Sequence, residues 1–381
     1  MTARGTVEAA AMRDPLAQDA AFEERIAFFE RVLREWLDDD RVGIACGSWE
    51  DGGIVELIPR RRARLLPAAY QGCFLGVREL RVAGGEHHMH LDLGRVHAIA
   101  CAVVPSVCFA FRPSFEVRLL VTGPGGAPTH RASMSLMLLD PYPAGGLDGD
   151  VVQRFFERAR RHVAERPDLM RVEIASQVRT SGEGAAILRC LKDVVAADLA
   201  DEPAWDVALE RLNAGARAAP AEPLDPPVLP LLEGALRLRE ASLVIHRERT
   251  LVEFQTEMLA GVERSVHDGH VSWQIGRFDQ HHCHLSIAAV TRVLFSAEPA
   301  PCQGGRLNYT VWFLTAAPCG NPYRRNGYFS VVLNRPYDER GPRAEIIAQV
   351  IHLFLEHRSA PWVEADATFL DAAAACSGAA R

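Results

Sequence analysis

The sequence predicts an α+β fold of two tandem, homologous repeats, each an antiparallel sheet with flanking helices, related by pseudo-twofold symmetry. Three observations lead there. Residues 86–121 (EHHMHLDLGRVHAIACAVVPSVCFAFRPSFEVRLLV) and 280–315 (QHHCHLSIAAVTRVLFSAEPAPCQGGRLNYTVWFLT) align without a gap at a constant offset of 194. Each copy then alternates apolar and polar residues with the period of two that a half-buried strand requires. A proline-rich stretch, residues 214–230, separates the halves as a semi-rigid linker.

The elements follow in order. Residues 1–40 read as a disordered start and one helix, 22–37, with apolar residues at helical spacing. Repeat one occupies 41–170. Within it, Ile54-Val55-Glu56-Leu57 resembles Leu251-Val252-Glu253-Phe254 of the second copy. Residues 114–122 alternate Phe115, Val117, Leu119 and Val121, and a Gly-rich turn at 123–126 closes a hairpin into 133–139. An amphipathic helix is expected over 151–164. Residues 171–230 read as a helical connector (183–199 and 203–212) and the linker. Repeat two, 231–358, repeats the pattern with strands 308–314 and 328–333, a turn at 318–321 and a helix over 344–356. Residues 359–381 read as a C-terminal tail, frayed from Asp371 onward.

Composition bounds the function. The 381 residues are too many for one ordinary core, and 48% hydrophobic with 24% charged residues excludes a largely disordered chain. The 42 Lys and Arg against 49 Asp and Glu give a net charge of −7, so nucleic acid is not an expected partner. No apolar run approaches the ~20 residues of a membrane span, and the N-terminus lacks an apolar signal core, so membrane insertion is not expected. The nine cysteines are scattered, odd in number and without a C-x-x-C pair. They read as reduced thiols in a cytoplasmic protein.

The histidines carry the most chemical information. His87, His88 and His90 recur as His281, His282 and His284. On a strand, residues two apart share a face, so His88 pairs with His90 and His282 with His284, about 7 Å apart along the backbone. Such a pair suits two ligands of one metal or one wall of a cofactor pocket. The plain alternative is a hydrogen-bonded strand edge inherited by duplication. Further ligands would have to lie nearby; Asp92 follows His90 on the same face, whereas the second copy has Ser286. Arginines supply candidate anion contacts: Arg60, Arg61 and Arg62 in the first half, Arg247 at the matching edge of the second, and Arg335, where the first copy has Pro141. The second copy also holds Trp273, Tyr309, Trp312 and Phe313, aromatic rings expected to face a flat cofactor. There is no phosphate-binding G-x-x-x-x-G-K-[ST] loop, no H-E-x-x-H and no G-x-S-x-G.

These residues resemble the cytoplasmic heme-utilisation proteins of the HutX/ChuX/HemS superfamily. In the first copy, Cys73-Phe74, His88-Met89-His90-Leu91, Arg95-Val96 and Ala98-Ile99-Ala100 are similar to the segment that characterises short members. In the second, Cys283-His284-Leu285, residues 309–314 and Leu333-Asn334-Arg335 are similar to the C-terminal half of long members. The resemblance covers roughly 40–165 and 230–358. It implies a duplicated, HemS-like fold with heme between helices and sheet. By matching position it implies His88 and His90 as the histidine pair of the short members and Arg335 as a propionate contact. Long members carry an axial histidine in the helix opening the second half, where this chain has Pro227–Leu236 with no histidine.

The leading expectation is a cytoplasmic heme-binding protein for heme and iron utilisation, a heme carrier. Its cofactor would be heme, or iron, met by His282, His284, His88 and His90, with Arg335, Arg247 and Trp312 in the pocket. Its partners would be heme or a related small molecule and a heme-uptake or heme-degrading protein. Two other readings stay open: a heme-degrading or heme- or iron-dependent enzyme on the same scaffold, and a cofactor-free structural or regulatory protein. The second half is expected to do the chemistry.

Overall fold

The computed structural model describes residues 20–378 apart from 192–223 and several shorter segments, among them 58–63, 68–78 and 317–320. The first half runs α1 (Ala20–Leu37), β1 (Val42–Ser48), β2 (Gly53–Leu57), β3 (Arg64–Pro67), β4 (Glu79–Gly84), β5 (His87–Asp92), β6 (Val96–Pro105), β7 (Pro113–Thr122), β8 (Pro128–Leu138), α2 (Gly149–Glu165), β9 (Met170–Ile174), α3 (Ser176–Arg179) and α4 (Gly184–Leu191). The second half runs α5 (Leu229–Leu236), β10 (Ala241–Arg247), β11 (Thr250–Gln255), β12 (Val262–His267), β13 (His270–Gly276), β14 (His282–Leu285), β15 (Val290–Pro299), β16 (Leu307–Thr315), β17 (Gly327–Leu333), a small β18–β19 pair (Tyr337–Asp338, Gly341–Pro342), α6 (Ala344–His357), β20 (Val363–Ala365) and α7 (Ala367–Gly378).

Two nine-stranded sheets result. One has the order β12-β13-β14-β2-β1-β8-β7-β6-β9, the other β20-β15-β16-β17-β10-β11-β5-β4-β3. Read from opposite ends, the two orders match element for element. Each half builds six strands of its own sheet and lends a three-stranded meander to the other. The joints are the two histidine strands: β5 pairs antiparallel with β11 of the second half, and β14 with β2 of the first.

Sequence accounts for most elements. In α1, Phe22, Ile26, Phe29, Leu33 and Trp36 recur every three or four residues and are buried. Trp36 meets Phe155 of α2 with ring centroids 5.1 Å apart. Helix α2 starts where Asp148 accepts hydrogen bonds from the Asp150 and Val151 amides, a cap of about 1 kcal/mol. The hairpin between β7 and β8 closes through Gly123 N–H to the Ala127 carbonyl at 2.8 Å.

The structure departs from expectation in three places. The sheets are not wholly antiparallel: β9 joins β6, and β20 joins β15, in parallel. Each is reached through a helix (α2 or α6), and a helical crossover returns the chain in the direction of its partner. The C-terminal residues are not a frayed tail, because α7 runs to Gly378 and buries Phe369 against Phe295 and Phe354, with centroids 5.6 and 5.5 Å away. Of the connector helix expected over 183–199, α4 (Gly184–Leu191) is described, and 192–199 lie outside the described residues. The disordered start, the helix at 203–212 and the turn at 318–320 lie outside the described residues.

The aromatic residues expected to face a cofactor lie in the packed interior. Phe313 stacks on Phe329 at 4.4 Å and 16°, worth about 0.5–1.5 kcal/mol beyond its burial. Trp312 donates its indole N–H to the Ser296 hydroxyl at 3.1 Å. Trp273 and Tyr309 are likewise buried. Strand alternation sends neighbouring rings to opposite faces of β16, so the run Tyr309, Trp312, Phe313 cannot form one wall.

Candidate metal and cofactor site

Strand β5 is buried along its whole length. Met89 and Leu91 belong to the hydrophobic core, which fixes the strand's rotation and sends His88 and His90 to the other face. Their rings stand edge to face with centroids 5.1 Å apart. Opposite them, across the ladder to β11, Glu253 stands in register with His88. Its carboxylate oxygens lie 3.3 Å from His88 Nε2 and 3.9 Å from His90 Nε2. One ligand atom from each residue falls within 4.8 Å of the others, and this is the one such group of His, Cys, Asp or Glu among the described residues. His88 Nδ1 is buried and has no hydrogen-bond partner among the described residues.

Strand β14 repeats the arrangement on the other sheet. His282 and His284 are buried with centroids again 5.1 Å apart, and His282 pairs in register with Glu56 of β2. His282 Nδ1 lies 2.8 Å from the Gln280 carbonyl. A carbonyl only accepts, so Nδ1 carries the proton and the neutral ring's lone pair sits on Nε2. His284 Nδ1 lies 3.3 Å from the Ser272 hydroxyl.

The two strands approach at their starts, where His87 and His281 meet at 4.3 Å between centroids. Burial, then the neighbouring His281 and His88, push the His87 pKa down to about 3. His87 Nδ1 accepts the Gln255 amide, consistent with a neutral ring. Burial also pushes the Cys283 thiol up, which makes it an unreactive part of the core.

The remaining candidates are dispersed. Asp92 accepts the Gly94 amide as the cap of a short 3₁₀ turn, so it is occupied as a local cap. Arg335 is exposed after β17, and its carbonyl accepts from Arg343. The Arg247 side chain and Arg60–Arg62 lie outside the described residues. A cavity of about 230 Å³ lies between the start of α5 and the β14–β15 turn, lined among others by Pro226, Pro227, Val228, Ile287, Arg292 and Trp362. No imidazole, thiol or thioether lines it, so α5 offers no iron ligand there. For heme, the donor chemistry fits at β14, where the Gln280 carbonyl leaves an imidazole nitrogen lone pair, and it does not fit at α5.

Glu253 is the neighbour of the histidine pair that the sequence did not reveal. Its signal was present, since Glu56 and Glu253 occupy matching places in the two copies, but nothing local placed it beside histidines of the other half.

No family model and no curated protein matches the chain. Among solved structures it is similar to the heme degrading enzyme ChuS of Escherichia coli O157:H7, with 9% identity over 84% of both chains and a TM-score of 0.38. It is also similar to PhuS, a heme-binding protein from Pseudomonas aeruginosa. The apo form gives 12% identity, 84% of this chain, 83% of that one and a TM-score of 0.39. The holo form gives 12%, 79%, 77% and 0.31. At these scores the likeness carries no argument about the site.

Proposed function

We propose that this chain is a heme-binding protein of heme utilisation, a carrier, with His282 as the residue that meets the iron. The observation that carries the reading is the 2.8 Å contact from His282 Nδ1 to the Gln280 carbonyl. Histidines that ligate metals hold their second nitrogen in this way, which fixes the ring and raises the basicity of the first. The sequence motifs of both halves support the same reading. Bound heme would supply an iron centre; this chain's part would be to present His282 Nε2, exclude water and offer Arg335 to a propionate. His282 is fully buried. Uptake at this ligand therefore requires the cover over β14 to open, and the uptake rate levels off as hemin concentration rises.

We also read the halves as homologous repeats about a pseudo-twofold axis. The matched sheet orders support this, and so does the contact of His87 with its equivalent His281, because only a residue near such an axis can touch its own counterpart.

Hemin titration tests the function. The wild type takes up about one equivalent with a shifted Soret band, His282→Ala loses the shift, and His88→Ala keeps it. Arg335→Ala weakens affinity without changing the ligand-field bands. A spectrum of free, aggregated hemin in the wild type would overturn the reading. With a reductant and oxygen present, a persistent Soret band marks a carrier, and its bleaching to bile-pigment absorption marks an enzyme.

A further inference from the structure

We propose that His88, His90 and Glu253 form a binding site for a bare divalent first-row transition ion, separate from any heme and assembled from both halves of the chain. Two imidazoles and one carboxylate are the donor set that holds Zn²⁺ or Fe²⁺ while leaving coordination positions open for water or a small substrate.

The geometry is close to what an ion needs. With metal–nitrogen and metal–oxygen bonds of about 2.0–2.2 Å, neighbouring ligand atoms of a tetrahedral site stand roughly 3.3 Å apart. Glu253 oxygens stand 3.3 Å from His88 Nε2 and 3.9 Å from His90 Nε2, and no pair of chosen donors exceeds 4.8 Å. Closing the set around one ion requires the donors to draw together from within 4.8 Å of one another to that spacing, a movement of side-chain rotation rather than of backbone. The three residues are also placed rigidly. His88 and His90 ride on a strand whose other face is anchored in the core through Met89 and Leu91, and Glu253 sits between the buried Val252 and Phe254 on β11.

A second observation points to a ligand. His88 is 7% exposed, and its ring is poorly satisfied. One nitrogen makes a marginal 3.3 Å contact to a carboxylate, and the other is buried with no hydrogen-bond partner among the described residues. A buried imidazole held by one weak contact is poorly satisfied. An ion on Nε2 would replace the marginal contact with a coordinate bond. A structural ion pair would gain little from two imidazoles converging on one carboxylate, because a single histidine suffices for that.

The origin of the ligands gives the site a further property. The histidines come from the first half and the glutamate from the second, across the β5–β11 joint. An ion there binds only the correctly exchanged arrangement, so it stabilises that joint.

The test uses the full-length protein after removal of metals by chelator dialysis, with Co²⁺ alone as the probe. The wild type should bind one equivalent of Co²⁺ with the visible d–d absorption of a low-coordinate site, and its melting temperature should rise. Glu253→Gln should weaken binding by at least about 10-fold, and His90→Ala should abolish the band. The exposed His352→Ala should leave it intact. Circular dichroism of the metal-free variants checks folding; Glu253→Gln, nearly isosteric, carries the test should His90→Ala misfold. Absence of the band, or a band unchanged in Glu253→Gln, would overturn the proposal. Hemin titration of the same variants separates the two readings: Glu253→Gln should keep the Soret shift, and His282→Ala should lose it yet bind Co²⁺.

Discussion

Replacing Gly276 by alanine tests how β14, and with it His282, is held. Gly276 has φ of +90°, and it pairs in register with His282. A side chain at positive φ costs about 1–2 kcal/mol. A Cβ there would also lie 2.5 Å from the His281 carbonyl oxygen and 3.1 Å from His282 Cα. Both are backbone atoms with no rotamer to swing aside, so the ladder between β13 and β14 must open, losing a further ~0.5–1.5 kcal/mol of pairing. The sum is about 1.5–3.5 kcal/mol. Gly261 is the control: its φ is +55° and an added Cβ would meet nothing within 4 Å, which leaves strain alone, about 1 kcal/mol. At roughly 2 °C per kcal/mol for a chain of this size, calorimetry should show Gly276→Ala melting about 3–7 °C lower and Gly261→Ala about 2 °C lower. Equal drops would refute the argument, because they would mean that the close approach of β14 contributes nothing.

Two further outcomes follow from the site. His87 titrates near 3 in the folded chain against about 6.5 unfolded, so below pH 6.5 the unfolded state binds the proton and stability declines toward pH 3, by about 2 kcal/mol between pH 7 and 5. Urea midpoints at those two pH values should differ less in His87→Gln, and an unchanged slope would show that the ring is not held neutral. Trp312→Phe removes the bond to Ser296 and should cost about 1 kcal/mol, with the hemin spectrum untouched; loss of the Soret shift would place that ring at the cofactor after all.

Local pattern determined much of this protein. The ungapped match at an offset of 194 residues put the same strand pattern in both halves, and each half's strands and closing helix lie where alternation and helical spacing put them. The period of two also put His88 beside His90 and His282 beside His284, because strand geometry alone decides which side chains share a face. Tertiary structure decided what those faces meet. Each histidine strand pairs with the sheet of the other half, a choice between two nearly equivalent ladders that no local sequence term distinguishes. That exchange brings Glu253 to His88 and His90. The aromatic run of β16 is a second case in which local pattern left the surroundings open. Apolar rings suit a core as well as a pocket, and only the tertiary structure brings Phe313 onto Phe329 and Trp312 to Ser296, since burial is a property of what lies opposite.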